Sequence, residues 1–394
     1  MFRIKTPHLS PGCTAAGWTI LAVCVIAGIF WIYGRYQQKP VALAGPRPAA
    51  ETAGTARARE TGKYVKVLAI DDGGAGVIPA LQCLARIEEK SGKPVCELFD
   101  LMVGTASGGF VVAALAAPGN DGKPLYSARA LLEEFPKIHT RAHRTSAAHP
   151  LLSLGGRTAP RYLTAERQKA LLEALGKSRL DEALTTVILP SFSVSDNVPF
   201  LFASDMGKSA PVSNAGGPSP VEAGDYSLAE AVIASTGNPA FFAPSRITNL
   251  SGDQTKVFTD ASFYAANPTL LALGEALLRY PGKSCVIISL GAGVPPEPTG
   301  KIKHGWDSSG SAPAIVKSAR EASAGTVSQL ASSLLRFGSG PVAAYVRLEA
   351  NLPETIPPGD TSQKSFSVLM EAGTKLVGEK SAVLDRTADF LSSN

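Results

Sequence analysis

The chain has 394 residues, 45% of them hydrophobic, and a formal charge of only +5. That length carries one large domain or two ordinary ones, and that apolar content excludes wholesale disorder. No basic run interleaves with aromatics, which argues against nucleic-acid binding. The five cysteines form no CxxC pair, so neither a disulfide framework nor a zinc site is expected.

Residues 1–14 form a short N-terminal tail. Residues 15–33 read AAGWTILAVCVIAGIFWIY, with no charge anywhere in the run. At about 1.5 Å per residue such a helix spans the roughly 30 Å hydrocarbon core of a bilayer. Trp18, Trp31 and Tyr33 sit near its ends, where amphipathic rings favour the interface. A single-pass membrane anchor is therefore expected. Arg3 and Lys5 precede it and Arg35, Lys39 and Arg47 follow it, so with the free amino group counted the two sides tie and the orientation stays open. The alternative is a secreted protein with a cleaved signal peptide. Ala42-Leu43-Ala44 would be its cleavage site, though it lies far beyond the apolar run. Residues 34–63 are rich in Pro, Ala, Gly, Thr and charge and read as a flexible linker. Residues 64–394 are left for the globular domain.

Within that domain, YVKVLAIDDGG (64–74) reads as an apolar strand entering a glycine turn. VIPALQCLARIEEKSG (77–92) follows as a helix, with Pro79 in its first turn and Gly92 past its end. LFDLMVGTASGG (98–109) repeats the plan of strand and glycine turn. FVVAALAAP (110–118) is apolar on every side, as a central buried helix should be. LTTVILPSFSV (184–194) and KSCVIISLGAG (283–293) read as further buried strands. Strands alternating with helices predict an α/β fold with a largely parallel central sheet flanked by helices. In such sheets sites lie beyond the carboxyl ends of strands, where both glycine turns fall. Neither turn has the G-x-G-x-x-G order or the G-x-x-x-x-G-K-[ST] pattern, which argues against nucleotide binding. His139, His143 and His149 share one stretch without an acidic or cysteine partner at metal-ligand spacing. They read as surface histidines, and no metal is expected.

Taken in order, these segments resemble the patatin-like phospholipase family over about residues 64–394. VLAIDDGGAGVIPAL resembles its opening strand and D-G-G-G-x-R-G oxyanion loop. LFDLMVGTASGG resembles F-D-x-x-x-G-T-S-T-G-G, its nucleophile elbow. VILPSFSVSDNVPFLFAS (187–204) resembles the strand that crosses the sheet, and EAVIASTGNPAFFAP (230–244) the A-x-x-A-S-x-A-x-P-x-x-F-x-P segment. FTDASFYAANPT (258–269) resembles D-G-G-x-x-x-N-N-P, and VIISLGAG and YVRLEANLP resemble the closing strand and the Y-x-R-I segment. The resemblance implies a patatin-type layered fold that cleaves acyl esters of lipids with a Ser-Asp dyad. It implies no cofactor and no metal; lipid or phospholipid acyl chains would be the ligands, with any protein partner unknown. Serine attacks the ester carbonyl, aspartate takes its proton, and backbone N–H groups hold the oxyanion. Asp260 matches the family aspartate.

Three departures bear on that chemistry. In the elbow, between Gly104 and Gly108, the family serine position is held by Ala106, and a serine, Ser107, follows one residue late. Ala106 has no hydroxyl with which to attack. Ser107 starts a helix, where one residue is about 100° of rotation, so its side chain is expected to point away unless the elbow has slipped. The oxyanion loop reads Asp71-Asp72-Gly73-Gly74-Ala75-Gly76. Asp72 replaces the first glycine, the family arginine is missing, and the loop is one residue shorter. A carboxylate about 6 Å from a developing oxyanion would oppose it by roughly 3 kcal/mol. Third, Gly237-Asn238 replaces small apolar residues and Ala261-Ser262 replaces the two glycines after the aspartate. The Gly237-Asn238 change is expected to alter packing more than chemistry. The expected outcome is an impaired hydrolase that binds lipid or a partner as a pseudoenzyme; the alternative is an active lipid acyl hydrolase using Ser107 with Asp260.

Overall fold

The computed structural model describes residues 62–145, 159–205, 221–296, 311–335 and 340–393. The apolar run 15–33, nearly all of the linker and His149 lie outside the described residues. Among the described residues no helix is long and apolar enough to cross a membrane.

A nine-stranded sheet organises the domain. Along it the order is β5 (Val221–Ala223), β4 (Val198–Ala203), β3 (Thr186–Ser193), β2 (Leu101–Gly104), β1 (Tyr64–Ile70), β8 (Ser284–Leu290) and β9 (Val342–Leu348). The pairs β3–β2, β2–β1, β1–β8 and β8–β9 are parallel. The β3–β4 pair is antiparallel. β3 outruns β2, and its free end pairs antiparallel with β7 (Thr255–Asp260), which pairs in turn with β6 (Ser245–Thr248). That register sets Asp260 opposite Ser191, beyond the carboxyl end of β2.

Strands covered on both faces are apolar nearly throughout rather than at alternate positions, with Lys66 the charged exception in β1. In β1, Leu68 and Ile70 enter one core cluster and Val65, Val67 and Ala69 the other, all buried. On the first face lie α1 (Ile78–Ser91), α3 (Ser107–Ala116), α4 (Ala128–Ala142), α5 (Thr164–Leu175), α6 (Leu228–Ser235), α10 (Gln363–Glu379) and α11 (Ser381–Ser393). On the second lies α8 (Thr269–Arg279), with α9 (Ser311–Leu334) against it. The short helices α2 (Val95–Leu98) and α7 (Ser262–Ala265) fill turns.

Local chemistry accounts for the boundaries. α1 carries Pro79 in its first turn, where the missing N–H costs nothing. It ends at Gly92, left-handed at φ 67°, whose N–H returns to the Glu88 carbonyl. α3 begins at Ser107, three residues before the apolar run that signals it, and from Gly108 to Ala116 every residue is buried.

Candidate active site

The elbow is built by steric necessity. A Cβ on Gly104 would stand 2.2 Å from the Gly108 carbonyl oxygen, and one on Gly108 2.4 Å from that of Ile70. Only glycine lets β2, α3 and the end of β1 approach so closely. Between them Ala106 sits at φ 47° and ψ −113°, one of two described non-glycine residues with positive φ. Such a conformation costs about 1–3 kcal/mol and characterises residues held for function. The turn that exposes a nucleophile is therefore present, and its apex is a methyl group.

Ser107 stands one residue further on, at the start of α3. Its Oγ accepts a hydrogen bond of 3.1 Å from the Gly73 N–H. Gly74 of the same loop is left-handed at φ 57°, with the Pro358 carbonyl 2.0 Å from where a Cβ would stand. Gly76 is packed on Ala292 and its N–H returns to the Gly73 carbonyl. Burial raises the Asp72 carboxyl above its ordinary range, while Arg320 and the N–H groups of Gly74 and Gly73 pull it back down. The loop's amide donors thus face the protein's own Ser107 and Asp72.

Arg320 corrects the expectation that Asp72 stands unopposed. It comes from α9, and its Nη2 bonds Asp72 Oδ2 at 2.5 Å while its Nε donates to the Ser262 carbonyl at 3.2 Å. A guanidinium returns to the site from 248 positions along the chain, so the roughly 3 kcal/mol opposition is largely neutralised. The neighbouring Asp71 makes a two-point pair with Arg347 of β9, Oδ1 to Nη1 at 3.0 Å and Oδ2 to Nη2 at 2.6 Å. The YVR segment is thereby tied to the glycine loop that follows β1.

Asp260 ends β7, wholly buried. Its Oδ1 accepts from the Ser262 hydroxyl at 2.9 Å, and that hydroxyl accepts from Asn238 Nδ2 at 3.2 Å. Two of the substituted positions, 238 and 262, therefore meet in one polar chain, Asn238 to Ser262 to Asp260. Asn238 acts on the carboxylate through that chain as well as through packing, which corrects the expectation for it. Oδ2 is buried with no hydrogen-bond partner among the described residues. Burial, with Asp72 nearby, pushes Asp260 up to about 7.

Asp72, Gly74, Ala106, Ser107 and Asp260 line one cavity of about 380 Å³, with Arg320 at the same site; ligand pockets commonly start near 300 Å³. Its remaining wall is mostly apolar, from Phe110, Phe135, Ile138, Leu171, Phe241 and Phe242, with the half-exposed Phe263. His139 and His143 also line it, which overturns their reading as surface residues. α4 places Phe135, Ile138, His139 and Ala142 on one face by helical spacing, and the apolar members carry the histidines inward. The two rings lie 4.1 Å apart. Burial holds His139 well below the ordinary imidazole range and pushes His143 down to about 4. At neutral pH both are uncharged rings in an aromatic wall.

Arg167 of α5 is a further residue that sequence reasoning missed. It is 2% exposed, stacks over Phe242 at 4.8 Å and bonds the Ile233 carbonyl and Thr236 at the C-terminal end of α6. Burial pulls it down to about 10. A helical charge in sequence normally reads as solvated, and nothing local marks this one.

The family model for patatin-like phospholipases matches residues 71–273, and the chain belongs to that family. Patatin-like protein 2 of Arabidopsis thaliana is 31% identical over 238 residues, covering 57% of this chain and 55% of that one. Patatin-like protein 1 of Oryza sativa subsp. indica is 32% identical over 229 residues, covering 54% and 51%. The chain spans about half the length of these curated relatives.

Proposed function

We propose that this is a membrane-anchored patatin-type domain that binds lipid acyl chains, or a partner through the same cleft, without hydrolysing them through an acyl-serine. The observation that carries the reading is Ala106 at the strained apex of the elbow. A dyad lacking its nucleophile loses about 10⁶-fold in turnover, keeping only what binding and the oxyanion hole contribute. The amide donors turned toward Ser107 and Asp72 support it further. The apolar cavity and the exposed Phe263 support acyl-chain binding. The uncharged run 15–33 supports the single-pass anchor, residues 34–63 acting as its tether and 64–394 as the lipid-binding domain.

A fluorophosphonate probe and a phospholipid turnover assay test the reading. Wild type should stay unlabelled and inactive. Ala106→Ser should become labelled and weakly esterolytic, and a further Asp260→Asn should abolish both. Labelling of wild type that disappears in Ser107→Ala would establish the alternative, a hydrolase using Ser107 with Asp260.

A further inference from the structure

A serine hydroxyl at position 106 would serve two purposes: donating its proton to Asp260 and carrying the acyl carbon. Without it, three features of the cavity stand together, two of them polar groups with no partner among the described residues. Asp260 Oδ2 is buried, unpartnered among the described residues, and belongs to a residue lining the cavity. Ser107 opens the ten-residue α3, so its N–H has no intrahelical acceptor. In elbows of this type the N–H after the nucleophile position faces the acyl oxygen. Finally, Ala106 lines the same cavity and brings only a methyl group to it.

One head group matches all three. It has an O–H to give Asp260 Oδ2, a carbonyl oxygen to accept from Ser107 N–H, and little bulk beside Ala106. We infer that the cavity is a binding site for free long-chain carboxylic acids, the acid's own hydroxyl standing where a serine hydroxyl would stand. This rests on the lipid-binding reading above and names its ligand class. The bound head is an acyl-enzyme without the enzyme's oxygen: the chain lies along the phenylalanine wall, the carbonyl at the helix N-terminus and the hydroxyl on the aspartate. The ligand carboxyl and Asp260 share one proton, as two carboxyls in one site must. The remaining negative charge lies in a cavity that Arg320 and Arg167 also line. Arg167 has no carboxylate within ion-pair distance among the described residues, and Asp260 is the acid whose field it feels. Ser262, itself held by Asn238, keeps Oδ1 occupied, which leaves Oδ2 as the acceptor without a partner among the described residues.

The comparison that isolates the head group uses one chain in three forms. Oleic acid has both the O–H and the carbonyl, oleyl alcohol only the O–H, and methyl oleate only the carbonyl. Equilibrium binding of each to the full-length protein in nanodiscs, against empty nanodiscs, should favour the acid over both others by about tenfold or more, the worth of one hydrogen bond to a charged group. Ala106→Ser, which fills the acid's place and satisfies Oδ2, should weaken oleic acid binding by about tenfold. Equal affinity for all three ligands would overturn the inference while leaving acyl-chain binding intact. Unchanged acid binding by a folded Ala106→Ser would overturn it too. If none of the three binds, the lipid-binding reading falls with it. Should the variant not fold, the ligand series on wild type alone decides.

Discussion

At Ala106 the backbone keeps a conformation from which a methyl group gains nothing. The strain is sustained by its surroundings, Gly104 and Gly108 packed against neighbouring carbonyls, so the turn holds its shape with a methyl group at its apex. His143 makes the opposite point, a polar residue recruited as wall. Its imidazole titrates near 6.5 when unfolded and near 4 when folded. Above pH 6.5 it is neutral in both states. As pH falls from there toward 4 the unfolded chain takes up a proton that the folded one refuses, and stability is lost. Asp260, pushed up to about 7, acts in the opposite sense over the same window, since the folded state is then the one holding the extra proton. Comparison with His143→Phe separates the two. Urea unfolding should show the variant gaining about 2 kcal/mol on wild type between pH 7 and pH 5. An unchanged gap would mean that His143 takes up its proton as readily in the folded protein as in the unfolded one.

Among the elements, α9 has a role that its position in the chain does not suggest. It follows the last of the parallel core strands but one, yet it delivers Arg320 to the loop after the first strand and to the turn after β7. Asp72 and its partner are both mostly buried. Removing one member of a buried pair strands the other, which costs more than the pair contributes. Arg320→Ala should therefore destabilise the domain by about 3 kcal/mol, and Asp72→Asn in that background should recover most of the loss. Denaturant midpoints of the two single variants and the double variant measure the coupling. Additive effects would show that Arg320 holds the Ser262 carbonyl alone. In the Ala106→Ser background, Asp72→Asn should raise esterase activity by less than the roughly 10² that an unpaired carboxylate would imply.

For the whole molecule the question is where the domain resides. The run 15–33 has the length and apolarity of a bilayer span, and the linker separates it from the sheet. Full-length protein should sediment with membranes and remain there after alkaline or high-salt washing. A chain starting at Thr61 should be soluble and monodisperse. Recovery of a mature protein beginning at Gly45 would replace the anchor with a cleaved signal. Tethering would hold the cavity mouth, with the exposed Phe263, close to a source of acyl lipids at high local concentration.

The parallel core, its order of strand and helix, the elbow, the loop and Asp260 were legible in the sequence, because each is written in a local pattern. Apolar runs mark strands buried on both faces, and glycines mark places where backbones touch. Ala106 is equally local, since register alone sets an alanine where the family has serine. What the sequence could not disclose are contacts between distant segments. Arg320 reaches Asp72 across 248 positions, and Asn238 reaches Asp260 through Ser262. His139 and His143 enter the cavity on a helix face whose burial depends on what packs against it. A side chain's charge and identity belong to the sequence; whether that charge is paired, neutral or buried depends on its neighbours, and only the tertiary structure chose those.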